Sequence, residues 1–325
     1  MFYFVEKRIP YLYGFWRFAN AYYNIINEGS DLVENKKKKI IFDCDNTFGV
    51  TDCDVDDGLA LLYLLGCADA EVCGITGTYG NNNIDVVMST IHAMLKDLGR
   101  EDITVKRGGA SCGEYESEAA RYLAQMADKY KGEISILATG SLTNLMGAYM
   151  IDPHFFENVK EIVLMGGITQ PLVFKKEVMN ELNFSCDPKA TEMVLRKGNY
   201  VSVITGNNCL KVLFTKEEYK NRLMDSDTEI ARYILEKTDY YFQYNEEGYG
   251  IEGFYNWDVT AAVYLMHPEF FEDGLVKLQV SEEDLHTGYL RQEEPANCVV
   301  NLPKIGADKA FRNNIYNTWM NVVFE

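Results

Sequence analysis

Five short apolar runs recur along the chain from residue 40 onward. They cover residues 40–42, 70–76, 134–138, 162–165 and 200–204, and each is bounded by Gly, Asn or Asp. Uninterrupted apolar runs of this length are typical of strands that are buried on both faces of a parallel sheet. The pattern therefore predicts at least five buried parallel strands.

Stretches with helical spacing separate these runs, at residues 58–65, 84–98, 116–130 and 187–197. The last one opens with the pair Asp187-Pro188, which is well suited to a helix start. Strands that alternate with helices predict an α/β fold, a mostly parallel open sheet flanked by helices with a Rossmann-like core. Ligands of such sheets bind outside the carboxyl ends of the strands, so polar clusters at those ends are candidate sites.

The first 35 residues are aromatic and irregular, and a lysine run at residues 36–39 separates them from the rest. We expect an appended, helical segment over residues 1–35 and a single catalytic domain over residues 36–325.

Composition narrows the possible partners. The hydrophobic share of 47% provides for a large core, and the net charge of -18 without a basic stripe argues against nucleic acid. No segment approaches about 18 consecutive apolar residues, so no membrane partner is expected. The eight cysteines form no C-x-x-C pair and several lie in apolar runs, so we expect reduced thiols. Because the first residues show no signal-peptide pattern, we expect a cytoplasmic location.

Aspartates crowd the chain just after the first apolar run. Six lie within fifteen positions: Asp43, Asp45, Asp52, Asp54, Asp56 and Asp57. Carboxylates at this density repel one another unless a cation or protons neutralise them, and oxygen ligands suit calcium or magnesium better than zinc. We expect Asp45 and Asp57 to serve a metal, because their cluster adjoins a buried strand. Asp52 and Asp54 are expected to lie in a solvated turn.

Two known aspartate motifs fit this stretch poorly. An EF-hand loop would need a glycine one place before Gly58 and a glutamate where Tyr63 stands. The string FDCDNT is also similar to the opening motif of haloacid dehalogenase-type phosphatases, in which Asp43 would be the nucleophile and Asp45 the acid. That alternative, a magnesium-dependent phosphatase, needs a later acidic pair and a lysine that the chain does not place clearly.

A third motif continues through most of the chain. An Asp-x-Asp at a strand end followed by Asp-Asp at a helix start resembles the signature of the nucleoside hydrolase family. Five further segments of the family follow in order: GITGTYGNNN at 74–83, ATGSLTN at 138–144, IVLMGG at 162–167, ELNFSCDP at 181–188 and NWDVTAA at 256–262. The loop over residues 46–55 is longer than the few residues usual in that family.

The resemblance implies a calcium-dependent enzyme that hydrolyses ribonucleosides to ribose and free base, and it implies a homodimer or homotetramer. The implied roles are calcium binding by Asp45, Asp57, Asp258 and the main-chain carbonyl of Thr139, general-base catalysis by Asp56, and ribose binding by Asn81, Glu181 and Asn183. Calcium would orient a water and lower its pKa while the base accepts its proton. Carboxylates would also stabilise the oxocarbenium-like sugar that forms.

Trp257 precedes the implied metal ligand, where many family members have a histidine that protonates the leaving base. Tryptophan has no useful proton to donate but can stack on a purine ring, as in the purine-specific branch that the chain resembles here. We therefore expect purine nucleosides to be preferred. Tyr240, Tyr241, Tyr244 and Tyr249 are candidates for a wall over the base, and helical core or dimer contacts are the equal alternative for most of them. A binder of ribose or nucleosides that has lost turnover stays open as the non-enzyme alternative.

Overall fold

The computed structural model describes residues 36–324. The appended segment expected over residues 1–35 lies outside the described residues. The strands, in chain order, are β1 (Lys38–Cys44), β2 (Ala70–Gly77), β3 (Val105–Arg107), β4 (Ile134–Ala138), β5 (Glu161–Met165), β6 (Leu172–Val173), β7 (Val178–Met179), β8 (Val201–Ile204), β9 (Leu213–Thr215), β10 (Gly253–Tyr255), β11 (Phe271–Glu272), β12 (Leu275–Leu278), β13 (Cys298–Asn301) and β14 (Lys304–Ile305).

Helices separate most of these strands. In chain order they are α1 (Asp56–Gly66), α2 (Ile84–Asp97), α3 (Glu118–Lys129), α4 (Thr143–Ile151), α5 (Phe155–Asn158), α6 (Pro188–Lys197), α7 (Gly206–Cys209), α8 (Lys216–Met224), α9 (Glu229–Tyr249), α10 (Trp257–Met266), α11 (Glu282–Leu285) and α12 (Asp308–Trp319). No helix in the part of the chain that the structure describes is long and apolar enough to cross a membrane.

Eight strands form one central sheet in the order β12-β13-β8-β5-β4-β1-β2-β3. All neighbours pair in parallel except β12, which runs antiparallel to β13 at the edge. The predicted α/β class is confirmed, and each of the five predicted strands is present. The sequence patterns missed β3 and β12 at the two edges and β13 beside β12, because short strands that are partly exposed lack a continuous apolar run.

The order in which the chain adds strands to the sheet reverses at β1. From β1 the chain adds β2 and β3 on one side, then crosses over to add β4, β5 and β8 on the other. This arrangement leaves a crevice at the carboxyl ends of β1 and β4, which lie side by side with Asp43 opposite Ala138. Such a switch point is where open α/β sheets bind their ligands.

Two helices that begin above this crevice are buried on nearly every face. In α1 only Leu65 among eleven residues is not buried, and all ten residues of α10 are buried. A helix that is apolar all round belongs inside a protein, and these two pack against each other. Neither has a side-chain N-cap, and both carry aspartates in the first turn, where the helix dipole favours negative charge.

Other helices begin with conventional caps. The Asp187 side chain accepts a hydrogen bond from the Ala190 amide with Pro188 in the first turn, as predicted. Asn83 and Ser117 cap α2 and α3 in the same way. These local signals fix where the helices start, so the loops before them end at defined positions beside the crevice.

The C-terminal helix holds α1 in place. Trp319 is fully buried and its Nε1 donates to the carbonyl oxygen of Leu59 in α1 at 3.0 Å. Replacing Trp319 with alanine should lower the free energy of unfolding by about 3–5 kcal/mol, since a large buried side chain and a buried hydrogen bond are both lost. Urea unfolding followed by circular dichroism measures this loss.

Val323 provides the control, because its side chain is 70% exposed. Val323→Ala should change the free energy of unfolding by less than about 0.5 kcal/mol. Equal effects of the two substitutions would show that α12 does not stabilise α1.

Candidate active site

Four carboxylates meet at the switch point. Asp45 directly follows β1, Asp56 and Asp57 form the first turn of α1, and Asp258 lies in the first turn of α10. Carboxylate oxygens of Asp56, Asp57 and Asp258 all lie within 4.8 Å of one another. The carboxyl groups of Asp45 and Asp57 are within hydrogen-bonding reach of each other. Segments two hundred residues apart in sequence therefore share one acidic centre.

Asp45 is held by the loop that follows β2. The Asn81 amide donates to its Oδ2 at 2.6 Å, and the Asn81 side-chain amide lies 3.4 Å from its Oδ1. Gly80 makes this approach feasible, because a Cβ atom at that position would lie 1.9 Å from Asp45 Oδ2. The backbone of this loop thus touches the carboxylate directly.

Neutral donors orient the two aspartates of α1. Thr139 Oγ1 donates to Asp57 Oδ1 at 2.7 Å, and the Asn81 side-chain amide lies 3.4 Å from Asp57 Oδ2. The Asp258 amide donates to Asp56 Oδ2 at 3.1 Å. The resemblance implied a metal-binding role for the main-chain carbonyl of Thr139, and the structure adds a contact through its hydroxyl.

Burial and mutual repulsion raise the pKa values of the cluster. Asp56, Asp57 and Asp258 are 2%, 1% and 4% exposed, and no Lys, Arg or His among residues 36–324 forms an ion pair with any of the four. Burial, reinforced by Asp54, raises the pKa of Asp56 from 3.8 to about 8. Burial raises the pKa of Asp45 to about 6, and those of Asp57 and Asp258 well above the usual value.

Such a donor set fits a hard divalent cation. Buried carboxylates without a cationic side chain must bind protons or a metal ion, and oxygen ligands select calcium or magnesium. Asp45, Asp57 and Asp258, with Asp56 beside them, supply enough oxygen atoms from three chain segments to surround part of an ion.

A cleft opens above the cluster. Its acidic floor includes Asp56, Asp258, Asn81 and Thr139. Its walls come from the ends of β5 and β8, from the β6–β7 hairpin and from α10: Met165, Gly167, Ile168, Leu172, Met179, Asn180, Glu181, Leu182, Asn183, Gly206 and Trp257, with Asp54 at the loop side. A polar floor under walls that combine apolar side chains with a few polar groups is typical of a small-molecule site.

Comparison with known proteins identifies the family. Residues 40–312 match the family model described as inosine-uridine preferring nucleoside hydrolase. This chain belongs to that family. Its members cleave the N-glycosidic bond of nucleosides, so the sequence-based expectation of the family and of the enzyme class is confirmed.

Several relatives of this nucleoside hydrolase have names that mention a base. A probable uridine nucleosidase of Arabidopsis thaliana is 27% identical over 276 residues, which cover 75% of this chain and 83% of the relative. A plant nucleoside hydrolase structure superposes with a TM-score of 0.76 at 23% identity, covering 87% of this chain and 98% of the other. The structure of a purine-preferring ribonucleoside hydrolase from Gardnerella vaginalis superposes with a TM-score of 0.76 at 23% identity, covering 88% of this chain and 99% of the other.

Glu181 and Asn183 lie in the cleft wall as the resemblance implied, but each is already bound to the protein. Glu181 accepts hydrogen bonds from the amides of Gly167, Phe184 and Ser185 at 2.8–3.0 Å. The side-chain amide of Asn183 donates to the Met165 carbonyl oxygen at 3.2 Å. These contacts fix both side chains and leave acceptor capacity on their oxygens.

Asp43 lies outside the cleft. It is fully buried in β1, and its Oδ1 accepts hydrogen bonds from Thr76 Oγ1 and from Asn144 Nδ2. Through these hydrogen bonds Asp43 connects β1 to β2 and to the first turn of α4. Because the chain belongs to the nucleoside hydrolase family, the phosphatase alternative is removed.

Two expectations about the loop and the tyrosines need correction. Asp52 is exposed as expected. Asp54, which was expected in the same solvated turn, is instead half-buried and lines the cleft beside Asp56. The tyrosines of α9 do not line this cleft. Tyr240 and Tyr241 bind the loop from behind, and Tyr244 and Tyr249 border a separate surface cavity. A helical spacing alone cannot tell which face of α9 meets the loop.

Removing divalent metal should make stability depend on pH in a defined direction. The folded cluster binds protons more tightly than the unfolded chain, because the pKa of Asp56 rises from 3.8 to about 8 and that of Asp45 to about 6. The stabilisation is complete below about pH 4 and is lost as pH rises through 8, so the Tm of chelated protein should fall over that range.

Added calcium should therefore raise the Tm more at pH 8 than at pH 5.5, as measured by scanning fluorimetry. Asp57→Asn, which removes one charge from the cluster, should flatten the pH dependence of the chelated protein. A chelated wild type whose Tm rises between pH 5.5 and 8 would contradict this account of the cluster.

Proposed function

We propose that this chain is a calcium-dependent ribonucleoside hydrolase that releases ribose and a free base. The observation that supports the proposal is the convergence of Asp45, Asp56, Asp57 and Asp258 beneath one cleft. The same cleft is bordered by Asn81, Glu181 and Asn183, whose amide and carboxylate groups suit vicinal hydroxyls.

Asp45, Asp57 and Asp258 would hold the cation, with the main-chain carbonyl of Thr139 as a further ligand. Calcium suits these residues because it accepts many oxygen ligands in irregular geometry. When bound, it orients a water and ribose hydroxyls and lowers the pKa of the water.

Asp56 acts as the general base in this proposal. Its carboxylate accepts a proton from the attacking water while the Asp258 amide, 3.1 Å from Oδ2, fixes its orientation. The water oxygen bonds to the anomeric carbon, and the bond from that carbon to the base nitrogen breaks with its electron pair leaving on the base. A positive charge in the cluster would lower the pKa that burial raises, so that Asp56 is ionised for this step.

Departure of the base needs no acid from the cleft wall in this proposal. The lining residues of the cleft, all within the described range, include no His, Lys or Arg. Trp257 is 7% exposed and lines the cleft, where its ring can stack on a purine and leave the ring nitrogens to solvent protonation. We therefore retain purine preference as part of the proposal, although the uridine nucleosidase name of the Arabidopsis relative points to pyrimidine.

The assembly and location remain predictions. We infer a homodimer or homotetramer from the family resemblance and a cytoplasmic location from the expectation that the cysteines are reduced. Size-exclusion chromatography with light scattering and cell fractionation test them separately.

Asp56→Asn should lower kcat by about 10²–10⁴-fold, because the asparagine side-chain amide cannot accept the proton of the attacking water. Release of reducing sugar from inosine, adenosine, uridine and cytidine with added calcium measures the loss. Asp52→Asn, an exposed change of the same charge in the same loop, is the control and should keep wild-type rates.

Wild-type protein that binds nucleosides in calorimetry without releasing sugar would support the non-catalytic binder instead. Asp57→Asn distinguishes metal binding from general-base catalysis. This variant should bind calcium more weakly, whereas Asp56→Asn should lower turnover more than calcium affinity.

Trp257→Ala tests the base preference. Loss of stacking should lower kcat/KM for inosine by about threefold to tenfold relative to uridine, since an aromatic pair contributes about 0.5–1.5 kcal/mol. Steady-state rates on both nucleosides measure the ratio. Uridine cleaved faster than inosine by the wild type, or equal losses on both, would contradict the purine preference.

A further inference from the structure

The long loop between β1 and α1 is a compact, well-bonded segment. Thr47 Oγ1 donates to the Asp54 carbonyl oxygen at 2.8 Å, which joins the two ends of the loop. From the outside, Tyr240 Oη donates to the Cys53 carbonyl oxygen at 2.9 Å. These bonds fix the backbone of the residues that lead into α1, so the direction of the Asp54 side chain is set by the fold.

Asp54 presents a carboxylate to the cleft. The buried Tyr241 donates its hydroxyl to Asp54 Oδ1 at 2.7 Å. Its Oδ2 accepts no hydrogen bond from another group within residues 36–324, and Asp54 lines the cleft with Asp56 and Trp257. An additional carboxylate beside four others carries an electrostatic cost, and a ligand that donates a hydrogen bond to Oδ2 would offset it.

The position of Asp54 indicates which part of a nucleoside it meets. Asp56, two residues along the chain, acts at the anomeric carbon in the proposed function, and the base is attached to that carbon. The groups assigned to ribose hydroxyls come from other segments, namely Asn81 after β2 and Glu181 and Asn183 after β7. Asp54 is left to face the base, on the side of the cleft that borders α9.

We propose that Asp54 Oδ2 accepts a hydrogen bond from an N–H group on the edge of the nucleobase, and that Tyr241 is the positioning residue that fixes this carboxylate. The inference rests on the proposed function and assigns part of base recognition to the lengthened loop. An ionised carboxylate only accepts hydrogen bonds, so it selects bases that carry a donor, such as the ring N–H of hypoxanthine or uracil.

The test compares substrates with and without that donor. Inosine and uridine carry a ring N–H, purine riboside has no N–H on its base, and 4-nitrophenyl ribofuranoside has no nucleobase. Asp54→Ala should lower kcat/KM for whichever of inosine and uridine the wild type prefers by about 10- to 100-fold. Losses on purine riboside and on the nitrophenyl ribofuranoside should stay within about threefold.

Two further variants refine the comparison. Tyr241→Phe should also lower kcat/KM for the preferred nucleoside relative to purine riboside, by a smaller factor than Asp54→Ala. In this variant KM should rise more than kcat falls. Asp52→Asn, an exposed change in the same loop, should leave all ratios unchanged. Equal losses on all substrates, or no loss with Asp54→Ala, would overturn the inference.

Calcium affinity distinguishes a base contact from a metal ligand. Asp54→Ala should bind calcium within about threefold of the wild type by calorimetry, whereas a loss as large as that of Asp57→Asn would overturn the inference. Wild-type cleavage of the nitrophenyl ribofuranoside tests the proposed function independently of Asp54, and a wild type that releases no sugar from any substrate would overturn both.

Discussion

Electrostatic repulsion between Asp45, Asp56, Asp57 and Asp258 would drive these side chains apart if the surrounding fold did not hold them. They are buried together without a cationic partner among the described residues. Within the protein their charge is tempered only by neutral donors and by protons, which is why their pKa values rise. A divalent cation is the partner that this arrangement lacks and that its chemistry suits.

The rest of the fold holds the cluster in this costly arrangement. The buried helices α1 and α10 bring their first turns together, and α12 covers α1 through Trp319. The sheet contributes the ends of β1 and β4 at the switch point, so that one side of the cluster rests on two central strands. Stability of the core and geometry of the site are therefore supplied by the same contacts.

The lengthened loop after β1 separates the two halves of the aspartate motif in sequence but not in space. Its ends are tied together by Thr47 and Asp54, and Asp45 still reaches Asp57. The extra residues add a cleft-lining carboxylate next to the site while leaving the cluster assembled. Tyr240 and Tyr241 of α9 support this loop from behind, which links the tyrosine-rich helix to the cleft without placing its rings inside it.

The sequence by itself determined the buried strands, the family and the residues of the acidic cluster. These depend on local features: apolar runs, helix caps such as Asp187, and short motifs in a fixed order. Only the tertiary structure decided that Asp54 faces the cleft, that Asp43 does not, and that Thr139 contacts Asp57 through its hydroxyl. It also placed β3 and β12 at the edges of the sheet and β13 beside β12. The reason is physical: each of these outcomes depends on which distant segment packs against a residue, and local periodicity carries no information about that partner.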